Sequence, residues 1–162
     1  MYKRFFPFFL AFFLFLPLTA NALGVGDTIT SFSGTDLDGK PVDLAKVIGK
    51  QPVMLIFWAS WCPNCKREVP EINKFYEKYG PKGMAFVGIN VGFNDSIGRA
   101  RAFIEITKMA YPVLFDTKGT LSKQYKVQGV PTIIVANKQG RVISRSFGAP
   151  ELTDEQFKQL NQ

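Results

Sequence analysis

Two cysteines, Cys62 and Cys65, hold all the thiol chemistry open to this chain, and only Pro63 and Asn64 separate them. A pair so spaced can cycle between dithiol and disulfide, close a structural staple, or help hold a metal. A staple across so short a loop stabilises little, because the chain-entropy contribution of a disulfide grows with the loop it closes. A closed zinc site needs four ligands, and the sequence has no histidine to join the two cysteines. Redox exchange uses the pair as it stands. The lack of histidine also excludes Cys–His proteases and Ser–His–Asp hydrolases.

The elements around the pair sharpen that reading. Val53–Trp58 is an unbroken apolar run, the pattern of a strand buried on both faces of a mainly parallel sheet. A helix is predicted from about Cys62 to Tyr79. Pro63 suits its first turn, and Val69, Ile72, Phe75, Tyr76 and Tyr79 recur at helical spacing. Pro70 interrupts this pattern and predicts a kink. A helix start carries free N–H groups and partial positive charge, which stabilise a thiolate. Cys62, at the tip, is therefore expected to attack, and Cys65, one turn in and more sheltered, to resolve the mixed disulfide. Lys66 and Arg67 either assist ionisation or form an ordinary solvated face. Trp61 is placed to shield Cys62 and touch substrate, whereas Trp58 reads as core.

The rest of the chain reads as one α/β unit. Thr28–Ser33 and Val42–Leu44 are strand-like, joined through the turn Asp36-Leu37-Asp38-Gly39. Met84–Asn90 is a strand, followed by a helix from about Asp95 to Lys108. Val113–Phe115 is a short strand and Leu121–Tyr125 a short helix. Thr132–Ala136 and Val142–Phe147 form a hairpin across Asn137-Lys138-Gln139-Gly140. The last helix opens at Thr153, with Gln156 completing a capping box and Leu152 and Phe157 placed as a hydrophobic staple. This order predicts an α/β sandwich with a mixed sheet.

The first 22 residues read differently. Lys3 and Arg4 precede an apolar run from Phe5 to Leu18, and Ala20-Asn21-Ala22 follows. That is the layout of a secretory signal, with cleavage expected after Ala22. The run of about 14 residues is short for a membrane span, which needs roughly 20. Export is expected whether the segment is cleaved or kept as an anchor. Cleavage would lower the formal charge from +7 to +5. The remaining basic residues are scattered, which argues against nucleic acid as a partner. Residues 1–22 are thus read as a signal peptide and residues 23–162 as the folded domain.

The segment Phe57-Trp58-Ala59-Ser60-Trp61-Cys62-Pro63-Asn64-Cys65-Lys66-Arg67-Glu68-Val69-Pro70 resembles the active-site block of TlpA/ResA-like thioredoxins. These are exported or membrane-anchored thiol reductases, several serving cytochrome c maturation. The resemblance covers nearly all of residues 23–162. Asp36–Leu44 resembles that family's N-terminal hairpin, and Gly129-Val130-Pro131-Thr132 its cis-proline segment. It implies a thioredoxin-like fold, with a central mixed β-sheet flanked by helices and an N-terminal β-hairpin. It also implies that Val130 and Pro131 form a docking ledge for a substrate strand, with Trp61 and Pro63 beside it. Glu68 stands where the family carries a carboxylate that influences the cysteine pKa values. Cytoplasmic thioredoxins have a buried Asp where this chain has Ile56, so proton handling must come from elsewhere. No cofactor or metal is implied.

The implied function is a periplasmic reductase. It would draw electrons from a membrane thiol–disulfide donor and reduce a disulfide-containing client, such as apocytochrome c cysteines. Contact with the membrane would run only through an uncleaved N-terminal segment. An oxidase or isomerase is the alternative, since direction depends on relative potentials. A thiol peroxidase of the peroxiredoxin kind is disfavoured, because Ala59 stands where such enzymes carry Thr or Ser. A redox-inert chaperone or a metal carrier is a fourth reading, and the two retained cysteines argue against inertness.

Overall fold

The structure, a computed structural model, describes residues 23–162, so the expected signal segment lies outside the described residues. A five-stranded sheet in the order β5-β4-β3-β6-β7 forms the centre. Its strands are β3 (Val53–Trp58), β4 (Ala85–Asn90), β5 (Val113–Phe115), β6 (Thr132–Ala136) and β7 (Val142–Ser146). β3, β4 and β5 run parallel, β6 runs antiparallel to β3, and β7 runs antiparallel to β6. Helices α1 (Pro63–Tyr79), α2 (Ile97–Thr107), α3 (Thr120–Gln124) and α4 (Asp154–Leu160) complete the sandwich.

Every residue of β3 is buried, as its unbroken apolar run requires of a central strand. All of β6 is buried too. α1 lays Val69, Ile72, Phe75 and Tyr79 against the sheet. The helix continues through Pro70. Pro70 lies on the exposed face, so the backbone bond it forgoes falls on the side that water reaches. The capping box of α4 is closed by Gln156 N–H donating to Thr153 Oγ1 and Thr153 N–H donating to Gln156 Oε1.

The N-terminal hairpin is present with shifted strands, β1 (Ser33–Thr35) and β2 (Pro41–Asp43). Asp36 Oδ1 accepts the N–H groups of Asp38 and Lys40 and so closes its turn. Most of the expected strand Thr28–Ser33 is not one. It makes a single bridge, Thr28 to Arg141, and Ile29 donates to Gly140 O. Its buried residues Ile29 and Phe32 are three apart, and a strand would bury every second residue.

The register gathers three chain segments at one end of the sheet. Trp58, the last residue of β3, pairs with Asn90, the last of β4, and Phe57 pairs with Thr132, the first of β6. The loops leaving Trp58 and Asn90 and the loop entering Thr132 therefore share one edge, where open α/β sheets place their ligands. Gly92 makes the second of these loops possible. It has φ +68°, and a Cβ there would run into the carbonyl oxygen of Asp116. Gly119 has a similar φ of +65° with nothing near the position of a Cβ. Gly119→Ala should therefore cost only the left-handed backbone conformation, about 1 kcal/mol. Gly92→Ala adds a backbone collision and should cost about 2–4 kcal/mol. Urea unfolding of the two variants side by side checks the difference.

Candidate active site

β3 ends at Trp58, and after four intervening residues the chain starts α1 at Pro63. Cys62 is the N-cap, in extended conformation, and its Sγ accepts the Cys65 N–H at 3.0 Å. Sulfur here fills the place of the usual Ser or Asp oxygen. Pro63 is the first helical residue, where its missing N–H costs the helix nothing. Cys62 and Cys65 are joined as a disulfide, with their Cα atoms 5.3 Å apart.

Exposure does not separate the two cysteines as expected. Cys62 is 4% exposed and Cys65 3%. In the linked form both are buried. What distinguishes Cys62 is its position. Its Sγ sits at the helix tip, 3.5 Å from the carbonyl oxygen of Val130, and the residue lines a surface groove.

Val130 and Pro131 come to the cysteines because β6 pairs with β3. The Val130–Pro131 peptide is cis. Thr132 Oγ1 donates to Gly129 O and ties this loop back on itself. Trp61 is half-exposed and its Nε1 donates to Phe93 O, so the indole stands at the rim of Cys62. Pro63 is exposed beside it. Trp58 is fully buried and stacks on Phe103 with ring centres 4.7 Å apart. Lys66 and Arg67 are exposed, and Arg67 donates to Asn64 Oδ1. Ile56 is buried in β3.

Glu68 lies one turn past Cys65 and is partly buried. Its Oε2 accepts the N–H of Ala149, and Gly148 packs against the carboxylate. Glu68 thus ties α1 to the loop after β7. Its Oε1 has no protein partner among the described residues.

One carboxylate at this edge escaped the sequence reading. The Asp95 side chain is fully buried. It accepts Ser60 N–H at 2.7 Å, Ser60 Oγ–H at 2.6 Å, Asn90 Nδ2–H at 2.9 Å and Ser96 N–H at 2.8 Å. Arg99 Nε lies 3.5 Å from Oδ1. Asn90 Oδ1 in turn accepts Gly92 N–H. Asp95 therefore clamps the backbone two residues before Cys62. Burial alone pushes its carboxyl up, but the hydrogen bonds from Ser60, Asn90 and Ser96 outweigh this and hold it below its ordinary 3.8. Asp95 was assigned to the start of a helix, whereas α2 begins at Ile97 with Ser96 as its cap. An Asp-Ser pair before a helix signals a cap, and nothing in the spacing links position 95 to position 60.

Among the described residues no three His, Cys, Asp or Glu side chains gather to hold a metal ion. No helix there is long and apolar enough to cross a membrane.

A family model described as the AhpC/TSA family matches residues 25–145. The thiol-disulfide oxidoreductase ResA of Bacillus thuringiensis subsp. konkukian (strain 97-27) is 33% identical over 135 residues, covering 83% of this chain and 75% of its own length. A crystal structure of a thiol:disulfide interchange protein of the thioredoxin family from Chlorobium tepidum TLS superposes with a TM-score of 0.69. It is 26% identical, over 85% of this chain and 94% of that one. A secreted disulfide oxidoreductase of Mycobacterium tuberculosis, described as homologous to E. coli DsbE, gives a TM-score of 0.65 at 25% identity. That match covers 80% of this chain and 93% of the other.

The clamp has a measurable pH signature. The folded pKa of Asp95 lies below its unfolded value, so its ionisation adds stability above about pH 4, and that contribution is lost as pH falls through the lowered value. Asp95→Asn sets an amide against several donors and should cost about 1–3 kcal/mol at pH 7. The gap between variant and parent should narrow between pH 5 and pH 3, as read by urea unfolding at each pH.

Proposed function

The chain belongs to the AhpC/TSA family of thioredoxin-fold proteins and is a thiol–disulfide oxidoreductase, and on that footing we propose that it works outside the cytoplasm as a reductant of client disulfides. The observation that carries this reading is the Cys65 N–H, at the start of α1, donating to Cys62 Sγ. In the reduced protein the same donor would meet a thiolate and lower its energy.

The proposed cycle uses only residues at this edge. The Cys62 thiolate attacks one sulfur of a client disulfide held along Val130 and Pro131, with Trp61 and Pro63 flanking it. The client S–S bond breaks, a mixed disulfide forms, and the departing client thiolate takes a proton. Cys65 then loses its proton and attacks Cys62 Sγ. The mixed disulfide breaks, the second client thiolate leaves and is protonated, and Cys62–Cys65 closes. Two electrons and two protons have passed to the client. Glu68, one turn beyond Cys65 with Oε1 unengaged, is proposed to receive the Cys65 proton.

One feature favours the reducing direction. A strong oxidant needs a heavily stabilised thiolate, since that stabilises its reduced form. Here the ionised Asp95, two residues from Cys62 through Ser60, opposes a further negative charge. Export rests on the reading of residues 1–22 and on the secreted relative. A reduced membrane-side dithiol partner, which becomes a disulfide as it re-reduces Cys62–Cys65, follows from the need to close the cycle. Peroxide chemistry has little support. Ala59 has no hydroxyl, and the Ser60 hydroxyl is committed to Asp95.

Titration against glutathione should place the Cys62–Cys65 couple near the potential of thioredoxin, about −270 mV, and a value close to about −120 mV would reverse the direction. Cys65→Ala should accumulate mixed disulfides at Cys62, and Cys62→Ala should form none. Non-reducing gels with mass spectrometry of the trapped clients read both.

A further inference from the structure

A groove of about 460 Å³ opens beside Cys62, on the side away from Val130 and Pro131. The start of α1 and the outer face of α2 form it. Trp61 divides it from a second groove that runs under Phe93 and Val130. Its floor is apolar, with Phe103 beneath and Ile106 on the wall. Ile106 is 69% exposed and Trp61 45%, so two large apolar side chains face solvent within reach of the reacting sulfur.

The rim is charged in one sense. Lys66 and Arg99 are the charged residues lining the groove, and both are basic. Arg99 is partly neutralised by Asp95, 3.5 Å away, and by donating to Asn94 O. Lys66 has no carboxylate in ion-pair range among the described residues. An extended client chain crossing Cys62 must place its next residues somewhere beyond the sulfur. This groove offers them an apolar seat and an unpaired cation.

We infer that this groove selects clients whose cysteine is flanked by a bulky apolar residue next to a carboxylate, the apolar side chain seated on Trp61, Phe103 and Ile106 and the carboxylate paired with Lys66. The inference rests on the reductase reading above and adds a specificity to it. Neither Lys66 nor Ile106 takes part in the thiol exchange. They act by holding the client.

The test uses the fully reduced protein and short peptides, each closed by one internal disulfide. The residues beside the cysteines are Leu-Glu, Leu-Lys or Gly-Gly, in separate peptides. The second-order rate of oxidation of the protein is followed by tryptophan fluorescence. Leu-Glu should react roughly five- to tenfold faster than Leu-Lys at low ionic strength, the size of one exposed ion pair and one avoided repulsion. The ratio should shrink in 0.5 M salt. Lys66→Glu should invert the order. Ile106→Ser should bring both leucine peptides towards Gly-Gly while preserving their ratio. Ratios between peptides cancel any effect of Lys66 on the thiol itself. If Lys66→Glu alters all three peptides by one common factor, or if the three react alike with the parent protein, the inference is overturned. If none of them oxidises the reduced protein, the reductase reading fails instead.

Discussion

The contact between the Cys65 amide and Cys62 Sγ organises this protein. It exists because a buried strand ends at Trp58 and a helix begins at Pro63, leaving Cys62 as the residue where strand geometry gives way to helix. A helix start has N–H groups without partners, and whatever atom stands there must accept from them. Here that atom is sulfur. The same contact caps the helix, which is stability, and is placed to hold charge on the sulfur, which is chemistry. α1 then packs Val69, Ile72 and Tyr79 into the core, so the donor cannot drift from its acceptor without unseating the helix.

A helix tip alone would let the loop before it wander. Asp95 prevents this from the far side, by taking both the amide and the hydroxyl of Ser60. A buried carboxylate is costly to desolvate, and four hydrogen bonds are what keep it charged in that position. Asn90 serves twice, donating to Asp95 and accepting from Gly92, so the loops after β3 and β4 are held as one piece. Glu68 does the equivalent for the loop after β7 through Ala149. Two carboxylates thus brace the two sides of the dithiol.

The surface around the sulfur is asymmetric. On one side stands the Val130–Pro131 loop, on the other the apolar face of α2 with its basic rim, and Trp61 rises between them. Trp61 holds this position by giving its indole N–H to Phe93 O. In the proposed function a client strand reaching Cys62 would be met by backbone groups on one flank and by side-chain chemistry on the other. Affinity common to all clients and discrimination among them would come from different walls.

Much of this was legible along the chain, where the governing interactions are local. The Cys-Pro-Asn-Cys spacing, the apolar run Val53–Trp58 and the Thr153/Gln156 cap each depend on residues within one element, and each fixed its own feature. Thr28–Ser33 was misread because its residues are β-prone, while its neighbours across space offer it a single bridge. Asp95 and Ser60, thirty-five positions apart, had no local signal at all. Spacing along the chain was enough to single out the two thiols and to place a helix start at them. Their surroundings came from strand register, which brings Asn90, Asp95 and Val130 to the end of β3, and register is set by packing of the whole sheet.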